Sequence, residues 1–282
     1  MQKKPSMQGK ICLVTGGTSG IGLATAWQLA RLDATVVITA RDEVRGQAAL
    51  DKIAQKSGSS NIHLLMADFS SLEQVRKLAA EFQTQYPALH VLINNAGTIP
   101  KKRKTSEDGY EMQLAVNHLA PFLVTNLLLP LIKTSTPARI ITVSSMVHSW
   151  GSIDLNDLQS TRGYDPSAVY AMTKLANVLF TTELADRLEN TGVTANSLHP
   201  GVIDTKLYRG YMGMSGSDDA SDSDLEDGAA TSVYLASSEE GGQVSGKYFS
   251  RQRQSSPSAL SQDKDLAERL WRASEKLTGL AN

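Results

Sequence analysis

The sequence TGGTSGIG at residues 15–22 follows a short apolar run, ICLV, and precedes a segment with helical periodicity, LATAWQLARL. Gly16 allows a tight turn, and Gly20 and Gly22 let backbone approach a ligand or a neighbouring strand closely. The N-terminus of the following helix offers free N–H groups and the positive end of its dipole to an anion. A strand, a glycine turn and a helix in this order therefore predict a phosphate-binding loop.

Further apolar, β-branched runs recur along the chain and alternate with longer segments of helical periodicity. The runs lie at residues 11–15, 35–40, 63–67, 90–96, 139–144, 193–198 and 247–249. This alternation is typical of parallel strands joined by right-handed helical crossovers, with helices on both faces of the sheet. We therefore expect an α/β fold, a three-layer doubly wound parallel sheet (Rossmann fold) of about seven strands. Residues 1–282 would form one domain, with its core at residues 9–250.

The composition is that of an ordinary globular protein, with 41% apolar and 20% charged residues among 282. A formal net charge of -1 gives no general attraction to nucleic acid, so we expect a small-molecule ligand. The single cysteine, Cys12, excludes an intramolecular disulfide, and the scattered histidines lack metal-ligand spacing, so no metal is expected. The apolar run after the basic start is too short for a signal peptide or membrane anchor, which predicts a cytoplasmic protein without an integral membrane segment.

Two segments depart from the strand-helix alternation. Residues 206–228 are rich in glycine, serine, methionine and aspartate, a composition that favours a mobile loop. We interpret this loop as a substrate lid rather than as simple disorder. The tail at residues 257–282 places Leu266, Leu270 and Leu277 at the spacing of an amphipathic helix, which we expect to dock on its own domain or on a neighbouring subunit.

Several polar residues lie where chemistry is expected. Tyr170 and Lys174 are four residues apart in a helical segment, so they share one helix face, and a neighbouring ammonium stabilises a phenolate. Such a pair can donate and accept a proton, although ordinary surface pairs have the same spacing. Ser144 and Ser145 end a predicted strand, where a hydroxyl either binds a carbonyl oxygen or caps a turn. Asn117, in an apolar helical stretch, either braces the core or orders a water near a catalytic group.

Six motifs occur in order along the chain: TGGTSGIG (15–22), NNAG (94–97), Asn117, SS (144–145), YAMTK (170–174) and HPG (199–201). In this combination the chain resembles the short-chain dehydrogenase/reductase family over residues 9–249. The phrases GYEMQLAVNHLAPFLVTNLLLPL, YAMTKLANVLFTTELADRL and DGAATSVYLASS resemble its retinol-dehydrogenase-like members.

The resemblance implies a catalytic tetrad of Asn117, Ser145, Tyr170 and Lys174. Tyr170 would exchange a proton with the substrate oxygen, and Ser145 would polarise and orient that oxygen. Lys174 would lower the pKa of Tyr170 and contact the nicotinamide ribose. Asn117 would hold a water leading protons to Lys174.

The resemblance also implies a set of contacts to a nicotinamide dinucleotide. Asn94 in the NNAG turn would line the adenosine side of this cofactor, and Asp68 would meet the adenine. The other expected contacts are Gly16, Thr18, Ser19, Gly20, Ile21, Gly22, Ala96, Gly97, Pro200, Gly201, Val202 and Thr205, together with Tyr170 and Lys174.

Arg41 indicates which nicotinamide cofactor to expect. NAD-binding folds carry an acidic residue at the end of the second strand, whereas this strand ends at Ala40 and is followed by an arginine. A guanidinium offers a planar fork to a 2′-phosphate, so we favour NADP(H) over NAD(H). The alternative is a solvent-facing Arg41 that pairs with Asp42 or Glu43.

The subgroup resemblance implies interconversion of an apolar aldehyde or ketone, such as retinal, and its alcohol by hydride transfer. Tyr208, Tyr211, Met212 and Met214 suit an apolar ligand because aromatic and methionine side chains adapt to apolar shapes. The alternatives are a non-catalytic NADP(H)-binding regulator or scaffold, or a family enzyme for a 3-oxoacyl or steroid ketone. Family members are commonly homo-oligomers, so we expect a homo-oligomer. The basic run KKRK at residues 101–104 has the composition of a solvated charged loop, although it could attract an anion.

Overall fold

Eight strands form one sheet in the part of the chain that this computed structural model describes, residues 6–211 and 220–281. Their order is β3-β2-β1-β4-β5-β6-β7-β8. The strands are β1 (Ile11–Val14), β2 (Thr35–Ala40), β3 (Ile62–Met66), β4 (Val91–Asn94), β5 (Ala138–Val143), β6 (Val193–His199), β7 (Tyr248–Ser250) and β8 (Arg253–Ser255). Strands β1 to β7 pair in parallel, and β8 pairs antiparallel with β7. The doubly wound α/β prediction is confirmed, with β8 added at one edge.

Helices cover both faces of the sheet. They are α1 (Gly20–Ala30), α2 (Glu43–Ser57), α3 (Leu72–Gln85), α4 (Met112–Leu114), α5 (Ala120–Thr134), α6 (Pro166–Arg187), α7 (Lys206–Tyr211), α8 (Asp222–Ser237), α9 (Glu239–Gln243) and α10 (Lys264–Thr278). A π-helical turn, Ala115–Leu119, joins α4 to α5, and a 3-10 helix, Met146–Trp150, follows β5.

The core consists of two apolar layers, one on each face of the sheet. Alternate residues of a strand point to opposite faces, so Leu13 joins the layer under α3 and α5 while Cys12 and Val14 join the layer under α1. Trp27 is fully buried in the α1 layer, and Trp271 is buried in the other. Burial on both faces explains why these strands appear as continuous apolar runs in the sequence.

The strand order reverses between β1 and β4. From β1 the chain proceeds outward through β2 and β3, and it then returns to place β4 on the other side of β1. The loops that leave the carboxyl ends of these two neighbouring strands diverge to opposite faces and leave a crevice between them. The glycine loop follows β1 and the NNAG turn follows β4, so both motifs border this crevice.

The segment at residues 206–228 is helical at both ends, so our prediction of a loop over this whole range is wrong. Helix α7 occupies its start, and α8 begins at Asp222. The Ser221 hydroxyl accepts a bond from the Asp224 backbone N–H at 3.1 Å, and the Asp224 carboxylate accepts one from the Ser221 N–H at 3.1 Å. Ser221 and Asp224, from the stretch whose composition suggested a loop, thus form a helix-capping box. Residues 212–219 of the predicted lid, which include Met212 and Met214, lie outside the described residues.

Helix α10 packs against its own domain, which is one of the two placements expected for the tail. The Trp271 ring lies 4.8 Å from the Phe122 ring and 5.8 Å from the Phe180 ring, measured between centroids. The Arg187 guanidinium lies 4.2 Å from the centre of the Trp271 ring. This tail therefore completes the apolar layer over α5 and α6.

Among the described residues, one helical stretch, Met112–Thr134, has the length and mean hydropathy of a membrane span. Most of its apolar window is buried inside the protein. Phe122, Leu123 and Leu128 belong to the core layer under α3 and α6. Core helices of soluble proteins can have the same length and mean hydropathy, and the burial of this helix is that of a core helix.

Candidate active site

The glycine loop is fixed by the turn that follows β4. The Asn95 side-chain amide donates to the backbone oxygens of Thr15 at 2.8 Å and Gly16 at 3.2 Å. A Cβ atom at Gly22 would lie 2.3 Å from that amide nitrogen, and Gly16 has a φ of +67°. Glycine is therefore required at Gly22 by close packing and is favoured at Gly16 by backbone conformation.

The N-terminus of α1 is suited to an anion. Ser19 precedes the helix in an extended conformation, makes no side-chain capping bond, and is followed by a first turn without an acidic residue. By contrast, the Asp42 carboxylate caps α2 by accepting the Arg45 backbone N–H at 2.8 Å. The first N–H groups of α1 thus keep their capacity to bind a phosphate.

A cavity of about 680 Å³ runs from this loop across the carboxyl edge of the sheet. It brings together most of the residues expected to contact the cofactor: Gly16, Thr18, Ser19, Gly20, Ile21, Gly22, Arg41, Asp68, Ala96, Gly97, Tyr170, Lys174, Pro200, Gly201, Val202 and Thr205. Ser145 borders the same cavity. One space therefore joins the expected phosphate site to three of the four expected catalytic residues, whose individual roles stay predictions.

Asn94 does not line this cavity, contrary to our expectation. Its side-chain amide is buried and donates to the Thr125 hydroxyl at 2.9 Å, on the core side of the sheet. Asn95 lines the cavity instead. Neighbouring residues at the end of a strand point to opposite sides, so only one of the two asparagines can face the crevice.

Helix α6 carries Tyr170 and Lys174 into the cavity. The helix begins after Asp165, whose carboxylate accepts the Ala168 N–H at 2.7 Å. The Lys174 ammonium donates to the Val143 carbonyl at 2.9 Å and lies 5.5 Å from the centre of the Tyr170 ring. Both side chains are buried, so bulk solvent screens the ammonium from the phenol ring less than it would at the surface.

The structure distinguishes the two serines after β5. The Ser144 hydroxyl is buried and donates to the Lys174 carbonyl at 2.7 Å, so it fastens α6 to the sheet. Within the described residues, the Ser145 hydroxyl accepts one long bond, 3.4 Å from the Val147 N–H, and its own proton remains available to donate. This arrangement favours Ser145 as the residue that binds a substrate oxygen.

Asn117 lies in the π-helical turn, and its side chain acts as a brace. Its amide oxygen accepts the Thr98 N–H at 2.8 Å, while its amide nitrogen donates to the Thr98 carbonyl at 3.0 Å and the Thr173 hydroxyl at 3.1 Å. These bonds tie the loop after β4 to α6. Both amide protons of Asn117 are donated to Thr98 and Thr173. The role of Asn117 in holding a water stays a prediction.

A family model for short-chain dehydrogenases matches residues 10–212. The chain belongs to the short-chain dehydrogenase family. It is 42% identical to retinol dehydrogenase 13 from Homo sapiens, covering 98% of this chain and 87% of that protein. It is 40% identical to polyprenol dehydrogenase from Mus musculus, covering 98% and 85%. It is therefore an oxidoreductase that resembles retinol dehydrogenases.

Solved structures agree with this assignment. A crystal structure of a protein from Mycobacterium paratuberculosis superposes with a TM-score of 0.81 at 34% identity, covering 98% of this chain and 95% of that one. A complex of Pseudomonas aeruginosa RhlG with NADP superposes with a TM-score of 0.68 at 27% identity, covering 86% and 95%. The site of this short-chain dehydrogenase is thus expected to hold a nicotinamide dinucleotide, NAD(P)(H), on the glycine loop.

The wall of the dehydrogenase cavity beyond the candidate catalytic residues is largely apolar. It includes Ile99, Met112, Val116, Val147, Leu207 and Tyr208. Met146 and Trp150 lie at its mouth and are 47% and 69% exposed. Of these, we had predicted only Tyr208 as suited to an apolar ligand, because apolar residues in helices and loops look alike whether they face a core or a ligand. The side chains of Tyr211, Met212 and Met214 lie outside the described part of the structure.

Burial of Lys174 lowers its pKa from 10.5 to about 8. Keeping this buried lysine charged at pH 7 costs about 3 kcal/mol of folding free energy. The variant Lys174→Met removes this penalty, but it also leaves the Val143 carbonyl without its hydrogen bond, which offsets about 1 to 2 kcal/mol. We therefore expect a net rise of about 1 to 2 kcal/mol in the free energy of unfolding at pH 7. Urea unfolding of both proteins measures the difference, with Lys133→Met on the exposed face of α5 as control.

The sign of this effect fixes its pH dependence. Below pH 8 Lys174 is charged in the folded and unfolded chains alike, and the full penalty is present. As the pH rises above 8 the folded chain releases the proton first, so wild-type stability increases relative to the variant. An advantage of Lys174→Met that stayed constant from pH 7 to pH 10 would contradict the burial penalty as its cause.

Proposed function

We propose that this short-chain dehydrogenase is an NADP(H)-dependent enzyme that interconverts an apolar aldehyde or ketone and its alcohol. One observation carries the proposal. Ser145, Tyr170 and Lys174 border the same cavity as the glycine loop and the helix N-terminus that suits a phosphate. A proton donor, an oxygen-binding hydroxyl and a dinucleotide site therefore meet in one place.

The bound dinucleotide supplies or accepts the hydride. In the direction of reduction, Tyr170 donates its phenolic proton to the substrate oxygen, and it takes that proton back in alcohol oxidation. Ser145 donates a hydrogen bond to the same oxygen and so stabilises the negative charge that develops there. The buried Lys174 ammonium, 5.5 Å from the Tyr170 ring, stabilises the phenolate that forms.

Two arginines support NADP(H) as the cofactor. Arg41 and Arg45 are exposed and line the cavity beyond the end of β2. Asp42 caps α2, and the described residues contain no ion pair to Arg41, which argues against the alternative pairing with Asp42 or Glu43. Two nearby guanidinium groups would stabilise a bound 2′-phosphate through charge-assisted hydrogen bonds. The structural relative RhlG, described in complex with NADP, supports the same choice.

The cavity wall supports an apolar substrate. Ile99, Val147 and Leu207 belong to the apolar cluster around Tyr170, and the exposed Trp150 extends the apolar wall to the mouth. Burial of such surface favours ligands with a hydrocarbon body and a single oxygen function. Two relatives are named for retinol and polyprenol, which are apolar alcohols. A cytoplasmic location and a homo-oligomeric state remain predictions from the sequence.

A substrate screen tests the proposal. NADPH oxidation would be followed with retinal, aliphatic aldehydes, aromatic ketones, quinones, a steroid ketone and a 3-oxoacyl thioester, and then repeated with NADH. We expect turnover of apolar aldehydes or ketones, with higher kcat/KM for NADPH than for NADH. Tight NADPH binding without turnover of any compound would instead support a cofactor-binding regulator or scaffold. Activity confined to the 3-oxoacyl thioester or the steroid would overturn the proposed substrate class.

A further inference from the structure

His148 connects the catalytic Ser145 to the C-terminal segment. Its Nδ1 lies 2.7 Å from the Ser145 carbonyl oxygen, and its Nε2 lies 3.1 Å from the Ser258 backbone nitrogen. A backbone N–H only donates, so Nε2 must be the acceptor and Nδ1 must carry the proton. The ring therefore has one defined neutral tautomer, which donates to the Ser145 carbonyl.

The surroundings of His148 keep it in this state. The ring is 4% exposed and packs on Tyr248, with 4.8 Å between ring centroids. Burial holds the pKa of His148 below its ordinary value of 6.5. A second proton on Nε2 would also point at the Ser258 N–H and break that bond. Both ring nitrogens are thus used for positioning and neither is left for proton transfer.

The bond from His148 Nδ1 to the Ser145 carbonyl affects the active site because it holds the backbone next to the Ser145 hydroxyl. The chain before it is already fixed, since the Ser144 N–H donates to the Leu198 carbonyl at 2.7 Å and the Ser144 hydroxyl bonds α6. Beyond it, the Ser145 carbonyl accepts two bonds from His148, one from Nδ1 and one from the backbone N–H at 3.1 Å. These bonds fix the turn that follows Ser145, including the Val147 N–H from which the Ser145 hydroxyl accepts a bond, and thereby limit the directions in which the hydroxyl can point.

We propose that His148 is a positioning residue that holds the Ser145 hydroxyl toward the substrate oxygen, with its tautomer imposed by the Ser258 backbone. The inference deepens the proposed function and rests on it. A hydroxyl that is displaced by about 1 Å loses much of its effect on the reacting oxygen, and the cost is about 100-fold in rate. The C-terminal segment at Ser258 thereby contributes to the catalytic geometry without touching substrate.

Two substitutions of His148 each remove one of its two side-chain hydrogen bonds and keep the other. The asparagine amide nitrogen can occupy the place of Nδ1, so His148→Asn keeps the donor to Ser145 and loses the acceptor for Ser258. The glutamine amide oxygen can reach the place of Nε2, so His148→Gln keeps the acceptor for Ser258 and loses the donor to Ser145. We expect kcat to fall about 10- to 100-fold in His148→Gln and less than about 5-fold in His148→Asn, with NADPH affinity unchanged in both.

The opposite order, with the glutamine variant more active than the asparagine variant, would show that His148 serves only to anchor the tail and would overturn the proposal. His63→Gln and His63→Asn, at an exposed position on β3, are matched controls. Crystal structures of both His148 variants give a readout that does not depend on turnover. We expect the Ser145 peptide to rotate in the glutamine variant alone, and an unmoved Ser145 would refute the positioning role. Failure of the proposed function would appear separately, as a wild-type enzyme without turnover.

Discussion

Tyr170→Phe is expected to lower kcat for carbonyl reduction by about 100- to 10,000-fold, which is the usual contribution of a positioned proton donor. The variant keeps the ring that packs near the Lys174 ammonium and removes only the hydroxyl. We therefore expect little change in the affinity for NADPH. Steady-state NADPH oxidation gives kcat, and titration of the protein with NADPH in the absence of substrate gives the cofactor affinity.

A matched control separates chemistry from stability. Tyr234 lies on α8, packs near Phe249 at 6.3 Å between ring centroids, and does not line the cavity. Tyr234→Phe removes a hydroxyl of the same type and should leave kcat close to the wild-type value. If Tyr170→Phe also turned over at the wild-type rate, Tyr170 would not be the proton donor.

Arg41→Asp is expected to reverse the cofactor preference. The substitution removes a guanidinium from the end of β2 and places there the carboxylate that binds a ribose 2′-hydroxyl in NAD-dependent folds. A lost charge-assisted contact together with a new repulsion toward the 2′-phosphate should lower kcat/KM for NADPH by about 100-fold or more. The value for NADH should rise, because the new carboxylate can accept a bond from the free hydroxyl.

Two further variants make this result specific. Arg45→Ala removes the second cavity arginine without adding a negative charge, and we expect a smaller loss with NADPH and no gain with NADH. Arg269→Asp, at an exposed position on α10, makes the same charge change away from the cavity and should leave both values unchanged. An Arg41→Asp enzyme with the wild-type ratio of the two kcat/KM values would exclude Arg41 as the determinant.

The layered fold could be predicted because it depends on local patterns that repeat along the chain. Strands that are buried on both faces must be apolar throughout, and such runs stand out between helical segments. Strand β8 was missed because its residues, Arg253–Ser255, are exposed and polar. The start of α8 was missed because Ser221 and Asp224 have the composition of a loop until their reciprocal capping bonds are known.

The placement of the candidate catalytic residues could be predicted where the spacing within a motif determines the geometry. Tyr170 and Lys174 share a face by helical spacing alone, whereas Ser145 was preferred over Ser144 only through the family resemblance, because the Ser144 bond to the Lys174 carbonyl links residues 30 positions apart. Most of the apolar cavity wall and the two hydrogen bonds of the His148 ring could not be predicted, because the residues that meet there are remote in sequence. Ser258, for example, lies 110 residues from His148.

Trp150 stands at the cavity mouth, while the two other tryptophans, Trp27 and Trp271, are buried in opposite layers of the core. The protein therefore contains an intrinsic fluorophore at each of three informative places. Emission from Trp150 should be quenched or shifted when a ligand fills the mouth, and single-tryptophan variants would report the melting of each layer separately. A native optical signal thus follows ligand binding and unfolding without any attached label.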